Sequence, residues 1–150
     1  MTVADDLFTP TIAPAAYEAR RPPWRPQSLI FPAAFGGPTA VTVLALVNGR
    51  RLGASRPAHL AVLGTGLAGL VARLTITLAF FDDGGNRPVR LIGALAGGLV
   101  WLVAAATQKR LFRAYELRGG QPASLWLPGL GAVFVLGFAE AVLVFLVAVA

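Results

Sequence analysis

Four long apolar blocks divide the chain, and each is close to the ~20 residues that an α-helix needs to cross ~30 Å of hydrocarbon. The blocks cover residues 29–48, 60–81, 89–107 and 125–150. Their apolar runs are continuous rather than alternating, which favours helices over the strands of a membrane barrel. The pattern therefore predicts an all-α domain at residues 29–150, built as a membrane bundle of four transmembrane helices.

The third helix is expected to continue beyond its apolar block, to residue 118. No proline or glycine pair follows Gly98 until Gly119-Gly120, which is a natural C-terminal stop. We expect this extension to rest on the membrane surface or on a partner, because its apolar and basic residues lie on two opposite faces. The apolar face carries Leu111, Phe112 and Tyr115, and the basic face carries Lys109, Arg110 and Arg113.

Residues 1–28 contain five prolines, a density that forbids a long helix and predicts an extended arm. Trp24, near the end of this arm, is expected to anchor it at the membrane interface.

The composition agrees with a membrane protein. Of the 150 residues, 56% are hydrophobic and 13% are charged, whereas a soluble domain carries about 25% charged residues. There is no cysteine and only one histidine, which excludes disulfides, thiolate metal sites and a multi-histidine metal centre within one chain. No serine–histidine–acid or paired-carboxylate arrangement is visible. The sequence therefore predicts no catalytic residue, no metal site and no cofactor.

The net charge of +6 would suggest nucleic acid in a soluble protein. Here the basic residues gather beside the apolar blocks, so the lipid bilayer is the expected partner and nucleic acid is not. Loops 49–59 and 108–124 hold seven basic residues, against five before the first block and between the second and third. The positive-inside rule then places these loops in the cytoplasm and both termini outside. The orientation inverts if the arginines before the first block act as the dominant anchor.

Two opposite charges lie inside apolar blocks, Arg73 in the second and Glu140 in the fourth. A charge at mid-bilayer costs roughly 2.5–3.5 kcal/mol on insertion scales, so each needs a partner. The two helices run in the same direction, and both charges lie at similar depths. We expect an ion pair that fixes helix packing. The alternatives are an ion or substrate pathway, or independent burial of each group.

The first block contains Gly36-Gly37-Pro38, which predicts a kink or local unwinding, because proline removes a backbone donor. The break is either a structural kink or part of a cavity lined by freed carbonyls. The two halves of the chain also echo each other: residues 34–52 align with residues 94–112 at an offset of sixty. Duplication of a helical hairpin and chance similarity both remain open.

The stretches "FGGPTAVTVLALVNGRRLG" and "QKRLFRAYELRGGQPASLW" resemble a family of small bacterial four-span membrane proteins of unknown function. The resemblance covers most of residues 30–135, and it implies a bacterial cytoplasmic-membrane fold without implying an activity. The matching positions are Phe35, Gly36, Gly37, Pro38, Asn48, Gln108, Gly119, Gly120, Ser124 and Trp126. The last block is similar, more weakly, to the carboxylate-bearing helix of rotary-ATPase proteolipids, but Arg73 has no place in such an ion-carrying ring.

Two classes of function follow. The first is a non-catalytic membrane subunit, which assembles with itself or serves a larger membrane complex. The second is a small oligomeric transporter or channel that uses Glu140 and the break at Gly36–Pro38.

Overall fold

A computed structural model describes residues 21–80 and 86–149. After a short 3₁₀ helix at Pro26–Leu29, the helices are α1 (Ile30–Leu52), α2 (Arg56–Phe80), α3 (Asn86–Leu117) and α4 (Trp126–Val149). All four helical elements are long and apolar enough to cross a membrane. The prediction of an all-α, multi-pass membrane protein is therefore confirmed, and α3 continues past its apolar block as expected.

Helix α1 is broken at Gly37, where φ is 70° and ψ is −172°, and its two parts run in opposite directions. An unbroken helix would separate Pro26 from Asn48 by about 33 Å. Instead, the N–H of Trp24 donates to Asn48 Oδ1 at 2.7 Å, and Asn48 Nδ2 donates to the Trp24 carbonyl at 3.1 Å. The first apolar block is therefore a helical hairpin, with a first leg at residues 26–36 and a second leg at residues 38–52.

Contacts with α3 show the same reversal. Along the first leg, the Pro26 carbonyl accepts a hydrogen bond from Trp101 Nε1 at 3.2 Å, and the Ala33 carbonyl contacts Gly97. The first leg is therefore antiparallel to α3. The second leg runs the other way, since its end at Asn48 meets Gln108 further along α3.

The hairpin forms the centre of the bundle. Helix α2 packs mainly on α3, and α4 packs mainly on the hairpin. Leu29, Val41 and Val100 are fully buried between these elements, and Gly37 and Pro38 at the turn are buried as well. Irregular backbone at membrane depth is tolerated only where protein surrounds it. The other helices supply that cover and expose their outer apolar side chains.

The second leg and α3 use equivalent positions for packing, at the offset of sixty seen in the sequence. The buried positions are Gly37, Ala40, Leu44 and Asn48 on the hairpin, and Gly97, Val100, Ala104 and Gln108 on α3. At the same offset the first leg corresponds to residues 86–96, which form the unbroken start of α3 rather than a separate antiparallel leg, so the structural correspondence is confined to the second leg and the part of α3 parallel to it.

The end of the N-terminal arm differs from the prediction. Trp24 is only 4% exposed, and the Arg51 guanidinium stacks over its ring at 3.9 Å, so Trp24 is a core residue rather than an interfacial anchor. The Pro23 carbonyl accepts a hydrogen bond from the Ala123 N–H at 3.0 Å. Residues 21–25 thus lie at the same end of the bundle as loops 49–59 and 108–124, not at the opposite end as expected. The remainder of the arm, residues 1–20, lies outside the described residues.

The apolar face of the α3 extension also differs from the prediction. Phe112 is buried, and the Tyr115 hydroxyl donates to the Gln121 carbonyl at 2.9 Å. The two rings pack against each other, with centroids 6.3 Å apart, and Leu111 is half-buried. This face is used to pack the extension onto its own chain. The basic residues Lys109, Arg110 and Arg113 are exposed, as expected.

Candidate functional site

The turn of the hairpin is where all four helices meet. Arg73 of α2 donates through Nη1 to Glu140 Oε1 of α4, and the two side chains are 16% and 1% exposed. The predicted partners are therefore in contact, deep inside the apolar part of the bundle. Each charge supplies the counter-ion that the other needs away from water.

The carboxylate has a second partner that the sequence analysis missed. The backbone N–H of Thr39 donates to Glu140 Oε2 at 3.1 Å. The second leg begins here: Gly37 is non-helical, and Pro38 occupies the first helical position, where its missing N–H costs nothing. Glu140 thus caps the start of a helix from another helix, at the positive end of its dipole. We call Thr39, Arg73 and Glu140 the charge cluster.

Glycine is required beside the charge cluster. A Cβ on Gly37 would lie 2.8 Å from Glu140 Oε1 and 3.0 Å from Arg73 Nη1, and the positive φ disfavours any other residue there. On α3, a Cβ on Gly93 would lie 3.0 Å from Arg73 Cζ. The predicted helix break and the predicted ion pair are therefore one site, because the turn fits only if the ion pair can lie against bare backbone.

Two polar atoms of this site have no hydrogen-bond partner among the described residues. They are Arg73 Nε and Thr39 Oγ1, and both atoms are buried. The carboxylate accepts hydrogen bonds from two donors, whereas the buried Nε–H of the guanidinium has no acceptor among the described residues. The arrangement therefore satisfies the buried Glu140 carboxylate, and Arg73 Nε and Thr39 Oγ1 remain available for further hydrogen bonds.

A second buried polar site closes the hairpin at its other end. Asn48 Nδ2 donates to Gln108 Oε1 at 2.9 Å, and Gln108 Nε2 donates to the Ala45 carbonyl at 2.8 Å. Asn48 also binds both backbone groups of Trp24. Asn48 and Gln108 are 0% and 2% exposed, so these bonds satisfy amides that water does not reach. We call Trp24, Asn48 and Gln108 the amide cluster.

The sequence analysis singled out Asn48 and Gln108 but did not predict that they contact each other. Both occur in the family resemblance, and they occupy equivalent positions at the offset of sixty. Two parallel helices that pack through equivalent faces bring such positions together, which is the signal that could have found this contact.

Among the described residues, no group of three or more His, Cys, Asp or Glu side chains is arranged to hold a metal ion. Comparison with protein-family models, with curated proteins and with solved structures finds no match. The suggested membership of a small bacterial four-span family stays a prediction that rests on the quoted residues alone.

Proposed function

We propose that the protein is a non-catalytic membrane subunit, a compact bundle that assembles with itself or with a larger membrane complex. The observation that supports this proposal is that the buried polar side chains of both clusters have their hydrogen-bond partners inside the fold. In the charge cluster and the amide cluster they bind one another and the backbone of the hairpin. Their partners lie within the fold, so the bundle is held together by them, which is what a structural subunit requires.

Helix α4 is the favoured assembly surface. Only 6% of the apolar stretch of α4 is buried inside the bundle, whereas 56% of the apolar stretch of the hairpin is buried. Phe138 and Phe145 are 72% and 61% exposed, and Gly131, seven residues before Phe138, has open space where a side chain would lie. An outer face that combines bulky and small residues suits helix–helix packing in lipid, where close contact rather than hydrophobicity drives association.

We further propose that the end of the bundle with loops 49–59 and 108–124 faces the cytoplasm of a bacterial inner membrane. The hairpin brings the N-terminal flank to this end, which adds Arg21 and Arg25 to the basic residues of both loops. The opposite end carries only Arg87 and Arg90 among the basic residues of the described helices. The positive-inside rule thus favours this orientation more strongly than the sequence expectation did.

Purification of the full chain from native membranes in lipid nanodiscs tests the assembly. We expect a particle with two or more copies, or a stoichiometric larger partner, measured by mass photometry or native mass spectrometry. Phe138→Ala should weaken this assembly, while Leu117→Ala, at an 89% exposed position on α3, should not. A monomer without partners at every protein concentration would contradict the proposal.

The second candidate is a small transporter, and the hairpin turn favours it. Transporters bind ions and substrates where discontinuous helices begin or end near mid-membrane, and the second leg begins in this way at the charge cluster. The open atoms Arg73 Nε and Thr39 Oγ1 could serve a passing ligand. Proteoliposome flux assays separate the candidates. Proton or ion flux that is lost in Glu140→Gln, with assembly intact, would favour transport over a structural role.

A further inference from the structure

Two spaces at the loop end of the bundle lie side by side and share residues. One is an apolar groove of about 660 Å³ between the first leg and α4, and the other is a polar pocket of about 490 Å³ between the first leg and the α3 extension. Arg25 and Ser28 line both of them. A single ligand with an apolar part and a polar part can therefore occupy both spaces at once.

The groove lies among residues of the membrane-spanning region. Its walls are Phe31 and Phe35 from the first leg, with Leu130 and Phe134 from α4. It runs along α4 from Trp126 to Phe134, which is about 12 Å of helix. Phe35 and Phe134 are 77% and 72% exposed, so the groove opens sideways to the surrounding lipid. Its shape and chemistry suit an acyl chain.

The pocket has the opposite chemistry. Three basic side chains line it, Arg25, Lys109 and Arg113, and Ser28 adds a hydroxyl. All three basic residues are exposed, so they can reach a phosphate without losing an existing partner in the core. Arginine and lysine are the usual phosphate-binding side chains.

One acidic residue, Glu116, also lines the pocket. A carboxylate repels phosphate, but it accepts hydrogen bonds from hydroxyl groups. Its presence beside three cations favours a headgroup that carries both a phosphate and free hydroxyls.

We propose that the groove and the pocket together form a binding site for one anionic phospholipid. The phosphate binds to Arg25, Lys109 and Arg113, the headgroup hydroxyls face Glu116, and one acyl chain lies in the groove. Arg25 and Ser28 line both spaces, so the apolar groove and the basic pocket are adjacent, which suits a lipid better than a soluble phosphate compound. A soluble compound would use the pocket and leave the groove unoccupied. The site goes beyond the proposed structural role, and its presence does not depend on assembly.

The test uses the full chain in nanodiscs, with phosphatidylglycerol and phosphatidylcholine that carry identical acyl chains. Native mass spectrometry counts the lipids that remain bound. We expect one phosphatidylglycerol to be retained preferentially. The double variant Lys109→Gln with Arg113→Gln should reduce its affinity on the order of tenfold, because each basic residue contributes to anionic-lipid attraction. The matched control is Arg110→Gln with Arg118→Gln, which removes the same charge from α3 and from the residue that follows its end, outside the pocket.

A second variant pair tests the groove. Gly129 lines it, and a Cβ there would meet only Leu125, at 3.4 Å, so Gly129→Leu fills the groove without disturbing the core. Gly64→Leu places the same bulk at an exposed position of α2, outside the groove, where nothing lies within 4 Å. We expect Gly129→Leu to lower phosphatidylglycerol retention several-fold and Gly64→Leu to leave it unchanged. Both folds are checked by thermal unfolding in phosphatidylcholine.

Three results would overturn the proposal. Equal losses in the two charge variants would mean diffuse attraction to the whole basic end rather than a site. An unaffected Gly129→Leu, together with full competition by soluble glycerol phosphate, would mean a headgroup site without a lipid chain. Equal retention of the two lipids by the unmodified protein would mean no anionic selectivity. Each of these outcomes leaves the assembly proposal standing, because none of the variants touches Phe138.

Discussion

The charge cluster and the amide cluster hold the same hairpin at its two ends, and they do so by different physical means. At the turn, Arg73 and Glu140 bring two opposite charges from α2 and α4 against the start of the second leg. At the open end, Asn48 and Gln108 use neutral amides to join the hairpin ends to each other and to α3. The charge cluster joins α2 and α4 to the turn of the hairpin. The amide cluster joins the two open ends of the hairpin to each other and to α3.

Because the two clusters use different interactions, we expect them to respond differently to the removal of one side chain and of two. Two charges neutralise each other, so removing both leaves little behind, whereas removing one leaves a buried ion. The amide cluster has directional bonds to backbone groups that cannot be deleted, so each lost amide leaves donors or acceptors unpaired. We therefore expect strong coupling between residues of the charge cluster, and losses in the amide cluster that no second substitution fully repairs.

The largest effect should come from breaking the ion pair. Arg73→Leu and Glu140→Leu should each destabilise the protein by about 3–5 kcal/mol, because each leaves the partner buried without its counter-ion. The double variant should recover much of this loss, since apolar residues often replace a buried ion pair at little cost. Denaturant unfolding in micelles measures the cycle. Arg110→Leu, on the exposed basic face, serves as control, and additive single losses would show that the two groups are not energetic partners.

Gly37→Ala should be the next most damaging change. The methyl group would press on both the carboxylate and the guanidinium, and alanine is disfavoured at the positive φ. We expect a loss of about 3 kcal/mol from strain and displacement of the ion pair together. The control is Gly98→Ala, a helical position where a Cβ meets nothing within 4 Å. If both alanines were tolerated equally, the turn would not depend on Gly37.

The amide cluster should respond more moderately. Asn48→Ala removes the partner of both Trp24 backbone groups and of Gln108 Oε1, at an expected cost of about 2 kcal/mol. Unfolding midpoints measure the loss, with the exposed Gln27→Ala as the matched amide control. Adding Gln108→Leu should not restore the stability, in contrast to the ion pair. Full rescue by that second substitution would erase the distinction between the clusters.

The smallest effect concerns the cation that covers Trp24. Arg51 stacks on the indole at 3.9 Å and donates through Nη1 to the Pro22 carbonyl at 2.9 Å. Lysine keeps the charge but loses the flat stacking surface, so Arg51→Lys should cost about 0.5 kcal/mol. Thermal unfolding compares Arg51→Lys, which changes both the stacking and the hydrogen bond to Pro22, with Arg50→Lys, a change at its exposed neighbour. An equal shift in both variants would show that neither contact of Arg51 adds stability.

The ion pair could be predicted from the sequence, whereas the reversal of chain direction within the first apolar block could not. Arg73 and Glu140 are recognisable because a charge within an apolar run needs a partner. The reversal at Gly37 is not, because hydropathy over residues 29–48 is the same whether the chain crosses the bilayer or enters and returns. The burial of Trp24 follows from that reversal, which brings its backbone to Asn48. The burial of Phe112 within the chain could not be predicted, because an amphipathic pattern does not show which surface covers the apolar face.

The direction of the first leg is the central claim, and cysteine labelling tests it most directly, because the chain has no native cysteine. Single variants Gln27→Cys and Ser55→Cys place thiols at exposed positions, one at the start of the first leg and one just after the second leg. Asn86→Cys marks the start of α3 at the other end of the bundle. In oriented membranes, a membrane-impermeant maleimide should label positions 27 and 55 from the same side and position 86 from the opposite side. Labelling of positions 27 and 55 from opposite sides would mean that residues 26–52 cross the membrane once, and it would contradict the hairpin.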